Sequence, residues 1–106
     1  MAFFEDVYNV VKEIPKGKVT TYGEIARAIG QPRKSKIVGW ALHSNPYRGI
    51  VPCHRVVNRN GETSGSFAFG GAEVQKNLLL NEGIKFDENG IINLPTYLWK
   101  PCNNIG

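Results

Sequence analysis

Between Thr21 and Asn45 the start and stop signals of two short helices follow one another with only a brief turn between them. Thr21-Tyr22-Gly23-Glu24 matches a capping box, in which Thr21 caps a helix and Glu24 reaches back to the cap. That helix carries Ile25, Ala26, Ala28 and Ile29 and stops at Gly30, because glycine takes the left-handed conformation after a last turn without steric cost. A turn containing Pro32 follows, and a second helix starting near Ser35 carries Ile37, Val38, Ala41 and Leu42. Asn45-Pro46 ends it, since the residue before a proline is pushed toward extended backbone. Two short helices joined by a tight glycine-containing turn are a helix-turn-helix candidate. The second helix is then the one offered to a groove, and Arg33, Lys34 and Lys36 stand at its N-terminal end.

The remaining elements are arranged around this pair. Phe3, Phe4, Val7, Val10, Val11 and Ile14 recur at helical spacing, so an amphipathic helix is expected over 2–14, ended by Pro15 and Gly17. Lys18 to Thr20 is a short extended approach to the capping box. Downstream, Gly49 to Pro52 leads into Cys53-His54-Arg55-Val56-Val57, and Asn58-Arg59-Asn60-Gly61 reads as a turn. Thr63 to Gly71, rich in Ser, Gly and Phe, reads as a loop that allows close approach of the backbone. Val74, Leu78, Leu79 and Leu80 mark a third substantial helix over 72–82, closed by Gly83. Asp87-Glu88-Asn89-Gly90 turns the chain between Ile84-Lys85-Phe86 and Ile91-Ile92, and the tail through Tyr97 and Trp99 is expected to pack back on the domain. A chain of 106 residues suits one compact domain, here residues 1–106. The fold class expected is α/β but mainly helical: a helix-turn-helix, winged-helix-like domain with a short strand or two.

No apolar run approaches the roughly 20 residues that a membrane helix needs. The start, Met1-Ala2-Phe3-Phe4-Glu5-Asp6, is acidic where a secretory signal is basic, so a cytoplasmic, monomeric protein with no membrane partner is expected. Nine Lys and Arg lie between Ile14 and Gly61 against Glu24 alone, a net +8, whereas the rest of the chain has four bases and eight acids. A basic middle between acidic flanks is the charge pattern of a phosphate-facing surface. It is also that of a solvated face with no partner, and charge alone does not choose.

Cys53 is the residue with an obvious nucleophilic role. A thiol reacts as its thiolate, and a basic environment favours that form; His54 and Arg55 supply one in sequence. His54 is the next residue and does not normally face Cys53, so a water or a third group has to mediate. Glu82, at the end of the third helix, is a candidate to orient His54 in the manner of a triad. Taken alone, a Cys-His pair marks a buried, inert cysteine more often than a reactive one. A zinc site from His43, Cys53, His54 and Cys102 lacks CxxC or HxxxH spacing, so no metal or cofactor is expected. A thiol hydrolase would need a distant histidine, and His43 is the only other one. A Cys53–Cys102 disulfide is opposed by a reducing cytosol.

Ile50-Val51-Pro52-Cys53-His54-Arg55-Val56-Val57 resembles the active-site signature of the O6-alkylguanine-DNA alkyltransferases, the methylated-DNA–protein-cysteine methyltransferases. The likeness continues in Lys16-Gly17-Lys18-Val19-Thr20-Thr21-Tyr22-Gly23-Glu24-Ile25-Ala26, Val38-Gly39, Asn45-Pro46, Gly70-Gly71, Leu78-Leu79 and Glu82-Gly83, covering roughly Phe3 to Gly83. It implies binding to double-stranded DNA containing O6-alkylguanine, through the minor groove, with the damaged nucleotide rotated out of the stack. It implies stoichiometric transfer of the alkyl group to Cys53. Tyr22 would crowd the phosphate and protonate the leaving guanine, Asn45 would brace the active-site turn, and His54 with Glu82 would take the Cys53 proton through a water. Arg33, Lys34, Lys36 and Arg55, with Tyr22, are the expected DNA contacts.

Three departures from the family pattern stand out. The sequence has only the active half, Lys36 occupies the place of an intercalating arginine, and the loop from Gly61 to Gly70 is longer, with Ser66-Phe67-Ala68-Phe69. The tail, Gly90-Ile91-Ile92 through Tyr97-Leu98-Trp99-Lys100-Pro101, resembles the alkyltransferase-like proteins, which bind alkylated guanine but replace the cysteine and hand the lesion to downstream repair proteins. Two functions therefore compete, alkyl transfer and lesion recognition. A sequence-specific helix-turn-helix regulator is a weaker third, because it leaves Cys53 and His54 without a task.

Overall fold

The computed structural model describes residues 2–47, 49–63 and 71–101. Arg48, the Ser66-Phe67-Ala68-Phe69 stretch and Cys102 lie outside the described residues.

The chain forms α1 (Ala2–Lys12), β1 (Thr20–Thr21), α2 (Tyr22–Ile29), α3 (Ser35–His43), β2 (Val56–Val57), α4 (Gly71–Asn81) and the short α5 (Leu94–Tyr97). Tight 3-10 turns at Pro32–Lys34 and Cys53–Arg55 precede α3 and β2. The molecule is mostly helical with short strands, as the periodicities predict.

Helix α1 buries Val7, Tyr8 and Val11 and ends at Lys12, before the expected limit at Ile14. The next two amides turn back to the carbonyls of Val10 and Val11, tightening the chain ahead of Pro15. The cap of α2 is as read: Thr21 Oγ1 accepts from the Glu24 amide at 3.2 Å. The reciprocal half of the box differs, because the Glu24 carboxylate pairs with Arg27 on its own helix. Gly30 ends α2 at φ 85°, with its amide on the carbonyls of Ala26 and Arg27.

Helices α1, α2 and α3 pack on one another around Val7, Val11, Ile14, Ile25, Ala26, Val38, Ala41, Leu42 and Val51, and Cys53 belongs to the same cluster. The Tyr8 hydroxyl donates to the Ala41 carbonyl at 2.7 Å, tying α1 to α3. Burial, then the Glu5 charge, pushes the Tyr8 pKa up, so that donor stays protonated.

A second cluster, Val19, Val57, Leu79, Ile84 and Ile92, lies under α4 and the tail. Strands β1 and β2 run parallel with Thr20 opposite Val56 and Thr21 opposite Val57. This ladder places the start of α2 beside the turn that carries Cys53. Beyond it, Val19 and Leu98 form a bridge, with the Val19 amide on the Tyr97 carbonyl and the Trp99 amide on the Val19 carbonyl, so the tail does pack back. The 58–61 turn is anchored to the tail by Ile92, whose amide donates to the Gly61 carbonyl at 2.8 Å. Gly61, at φ +80°, brings its α-carbon so near the Ile92 carbonyl that a side chain would collide there.

Helix α4 exists where Val74, Leu78, Leu79 and Leu80 predict it, but only Leu79 of these is buried. Gln75 shares the inward face with Leu79. No helix among the described residues is long and apolar enough to cross a membrane.

Candidate active site and basic helical face

Cys53 opens the 3-10 turn Cys53–Arg55, a reduced thiol only 3% exposed. Three side chains hold that turn and the backbone leading into it. From below, Asn45 Nδ2 donates to the Val51 carbonyl at 3.3 Å, while Asn45 Oδ1 accepts from the Tyr47 amide at 2.8 Å. From α4, Gln75 Nε2 donates to the carbonyls of His54 at 3.0 Å and Val56 at 2.8 Å. From beyond the end of α4, Glu82 accepts His54 Nε2 at 2.9 Å and Arg55 through two nitrogens, at 3.0 and 2.7 Å.

These bonds decide the chemistry of the cluster. Burial alone would raise the Glu82 pKa, but the hydrogen bonds and charges of Arg55 and His54 outweigh it and hold the carboxyl below its ordinary value. Glu82 is therefore an anion at neutral pH, able to fix the orientation of the His54 ring. The sequence-based pairing of His54 with Glu82 matches this geometry. Arg55 differs from its expected role as a DNA contact. Its guanidinium is turned inward onto Glu82 and, at 2.8 Å, onto the Ile14 carbonyl, so it clamps the site instead of facing outward.

Cys53 lines a cavity of about 470 Å³ together with Pro52, His54, Ile50, Val74 and Leu78, with Lys12 beside them. Here Val74 and Leu78 find their use: exposed at 40% and 36%, they form an apolar wall facing the thiol's cavity. A mostly apolar group with a few polar edges suits such a lining. No group of three or more His, Cys, Asp or Glu able to hold a metal ion occurs among the described residues.

The other expected residues gather elsewhere. Arg33 and Lys34 are exposed in the turn before α3, and Lys36 is exposed in its first turn. Tyr22, the first residue of α2, lies between two concavities: one with Lys36 and Trp40, the other with Arg27, Pro32 and Arg59. Gln75 was not anticipated by the motifs. Its signal was present all the same, as a polar residue in helical register with Leu79 and Glu82.

Fold and site together define a small helical domain that presents a buried, clamped cysteine beside a basic helix pair. The chain belongs to the family described as 6-O-methylguanine DNA methyltransferase, DNA binding domain, whose model matches residues 2–84. It is 43% identical over 104 residues to alkyltransferase-like protein 1 of Schizosaccharomyces pombe, covering 93% of this chain and 95% of that protein. It is 47% identical over 81 residues to a methylated-DNA–protein-cysteine methyltransferase of Methanosarcina acetivorans, covering 76% of this chain and 51% of that one, so it spans about half of this relative. The crystal structure of S. pombe Atl1 in complex with damaged DNA containing O6-carboxymethylguanine superposes with a TM-score of 0.80 at 42% identity, covering 94% of this chain and 96% of Atl1.

Proposed function

We propose that this chain, acting as one domain and as a monomer, repairs O6-alkylguanine in duplex DNA by taking the alkyl group onto Cys53. The observation that carries the reading is a thiol at the wall of a cavity of about 470 Å³, with a His54–Glu82 pair held in place behind it. His54 accepts the thiol proton through a water, and the Cys53 sulfur attacks the alkyl carbon in line. The bond from that carbon to O6 breaks, its electrons return to guanine, and Tyr22 supplies the proton that guanine needs. The product is a thioether, which does not reverse, so each molecule acts once. The exposed cations Arg33, Lys34 and Lys36 contact phosphates, with α2 and α3 serving as a helix-turn-helix.

The second reading, lesion recognition without transfer, is favoured by one specific observation. The likeness to the alkyltransferase-like relative runs across 95% of that protein, tail included, while the methyltransferase relative is matched over about half. In that case the chain flips O6-alkylguanine and leaves it for downstream repair proteins.

Intact-mass measurement after incubation with an O6-methylguanine duplex separates the two. Transfer adds one methyl group, located on Cys53, and Cys53→Ser binds the duplex with no gain. Tight binding by wild-type protein without any gain in mass overturns transfer in favour of recognition.

A further inference from the structure

The basic face holds one side chain to which alkyl transfer assigns no task. Trp40 lies one turn after Lys36 on α3 and is 57% exposed. Val38, Ala41 and Leu42 form the buried side of that helix, so Lys36 and Trp40, four residues apart, share its outer side. The Lys36 ammonium stands 6.0 Å from the centre of the Trp40 ring system, within reach of a cation–π attraction. Tyr22, Ser35 and His43 close a concavity of about 460 Å³ around them. An indole has no reason of its own to face water. Set beside the Lys36 ammonium, it is the pairing from which stacking surfaces for nucleic-acid bases are made.

We infer that Trp40 is the side chain that fills the gap left in the duplex when a base turns out, with Lys36 beside it as a phosphate contact. The inference rests on the base-flipping element of the proposed function and adds the residue that closes the stack. The physical reason is a division of labour. An ammonium is a hydrated point charge and does not lie flat between bases. An indole has the area and planarity to replace a lost stacking partner, and large apolar wedges hold opened base steps in other minor-groove proteins. Trp40 has only two side-chain torsions to fix, so ordering it costs little. The nearby ammonium neutralises the phosphates that the insertion brings close.

A duplex containing a tetrahydrofuran abasic analogue tests this without any alkyl chemistry, because its gap already exists. Wild-type protein should bind it about tenfold more tightly than the intact duplex, within what one base–aromatic stack provides. Trp40→Ala should reduce that preference to less than about twofold, and Trp40→Phe should keep most of it. Binding should also quench tryptophan emission in wild type and leave it unchanged in Trp40→Phe, where Trp99 is the remaining indole. Thermal unfolding of both variants reports that the exposed position leaves the fold intact. The inference is overturned if wild type shows no gap preference, if Trp40→Ala retains it, or if quenching persists in Trp40→Phe. Protein that methylates Cys53 but keeps its gap preference without Trp40 loses only this inference. Protein that prefers the gap through Trp40 but gains no mass loses only the transfer reading.

Discussion

Around Cys53 the polar side chains hold one another: Glu82 is gripped by His54 and Arg55, Arg55 reaches Ile14, and Gln75 and Asn45 bind the backbone on either side of the thiol. On the α2–α3 face the cations stand out in solvent, and the contacts of Lys34 and Lys36 are with the rings of Phe3 and Trp40. The contrast fits the division of labour in the proposed function. A displacement at carbon needs its reacting atoms within a narrow geometry, so the residues around a nucleophile are worth fixing in advance. A phosphate backbone is met at many registers, and charge with reach serves it better than rigidity. One half of the molecule is therefore over-determined, and the other is left adaptable.

Substitutions should respect that division, and the largest effect is expected at Glu82. Glu82→Ala strands Arg55, whose side chain is 16% exposed, and removes the orienting partner of His54. A loss of about 3 kcal/mol in urea unfolding is expected, as for one partner removed from a mostly buried pair. The pH dependence carries a further signature. Because the folded-state pKa of Glu82 is lowered, its contribution is complete above the unfolded carboxylate value and is lost as pH falls through the lowered one. Wild-type stability should therefore drop through that acid window, and the variant should lack that part of the drop. A variant as stable as wild type, with the same acid profile, would remove the clamp from the account.

Gln75→Leu comes next. It leaves the carbonyls of His54 and Val56 without their donor in a buried setting, which costs about 2 kcal/mol. Transfer from free O6-benzylguanine should slow as well, since the thiol's own turn is loosened. Slowing confined to duplex DNA would mean that Gln75 belongs to the binding face.

On that face the triple change of Arg33, Lys34 and Lys36 to alanine should do the reverse. Stability should stay within about 0.5 kcal/mol of wild type, because the positions are exposed. Duplex affinity should weaken alike for all sequences, and the dependence of its logarithm on log salt should flatten by about 2.7, from three phosphate contacts at about 0.9 each. An unchanged salt slope would make the basic face only a solvated surface.

The smallest effect is expected for Lys36→Arg. With Trp40 filling the gap, an arginine at position 36 only keeps the phosphate contact, so transfer from duplex DNA should change by less than about twofold and transfer from free O6-benzylguanine should stay the same. A quickening confined to the duplex would make position 36, and not Trp40, the residue that lies flat in the stack. Equal changes with both substrates would place Lys36 in the chemistry and erase the boundary between the two regions.

The sequence determined on its own whatever depends on neighbours along the chain. Thr21 and Gly30 delimit α2, Asn45-Pro46 closes α3, and the helical spacing of α1 and α4 is visible because capping and periodicity are short-range effects. The Cys53-His54-Arg55 motif marked the candidate nucleophile in the same way. Tertiary structure decided which partner each side chain keeps. Nothing local says that Arg55 turns inward to Glu82 and Ile14, or that Gln75 reaches across to the thiol's turn. Nothing local says that Leu79 is buried while Val74 and Leu78 wall the cavity. Those outcomes rest on contacts between residues tens of positions apart, brought together by the β1–β2 ladder and by the packing of α4 beneath it. Periodicity tells which residues share a face of a helix, and only the packed molecule settles what that face meets.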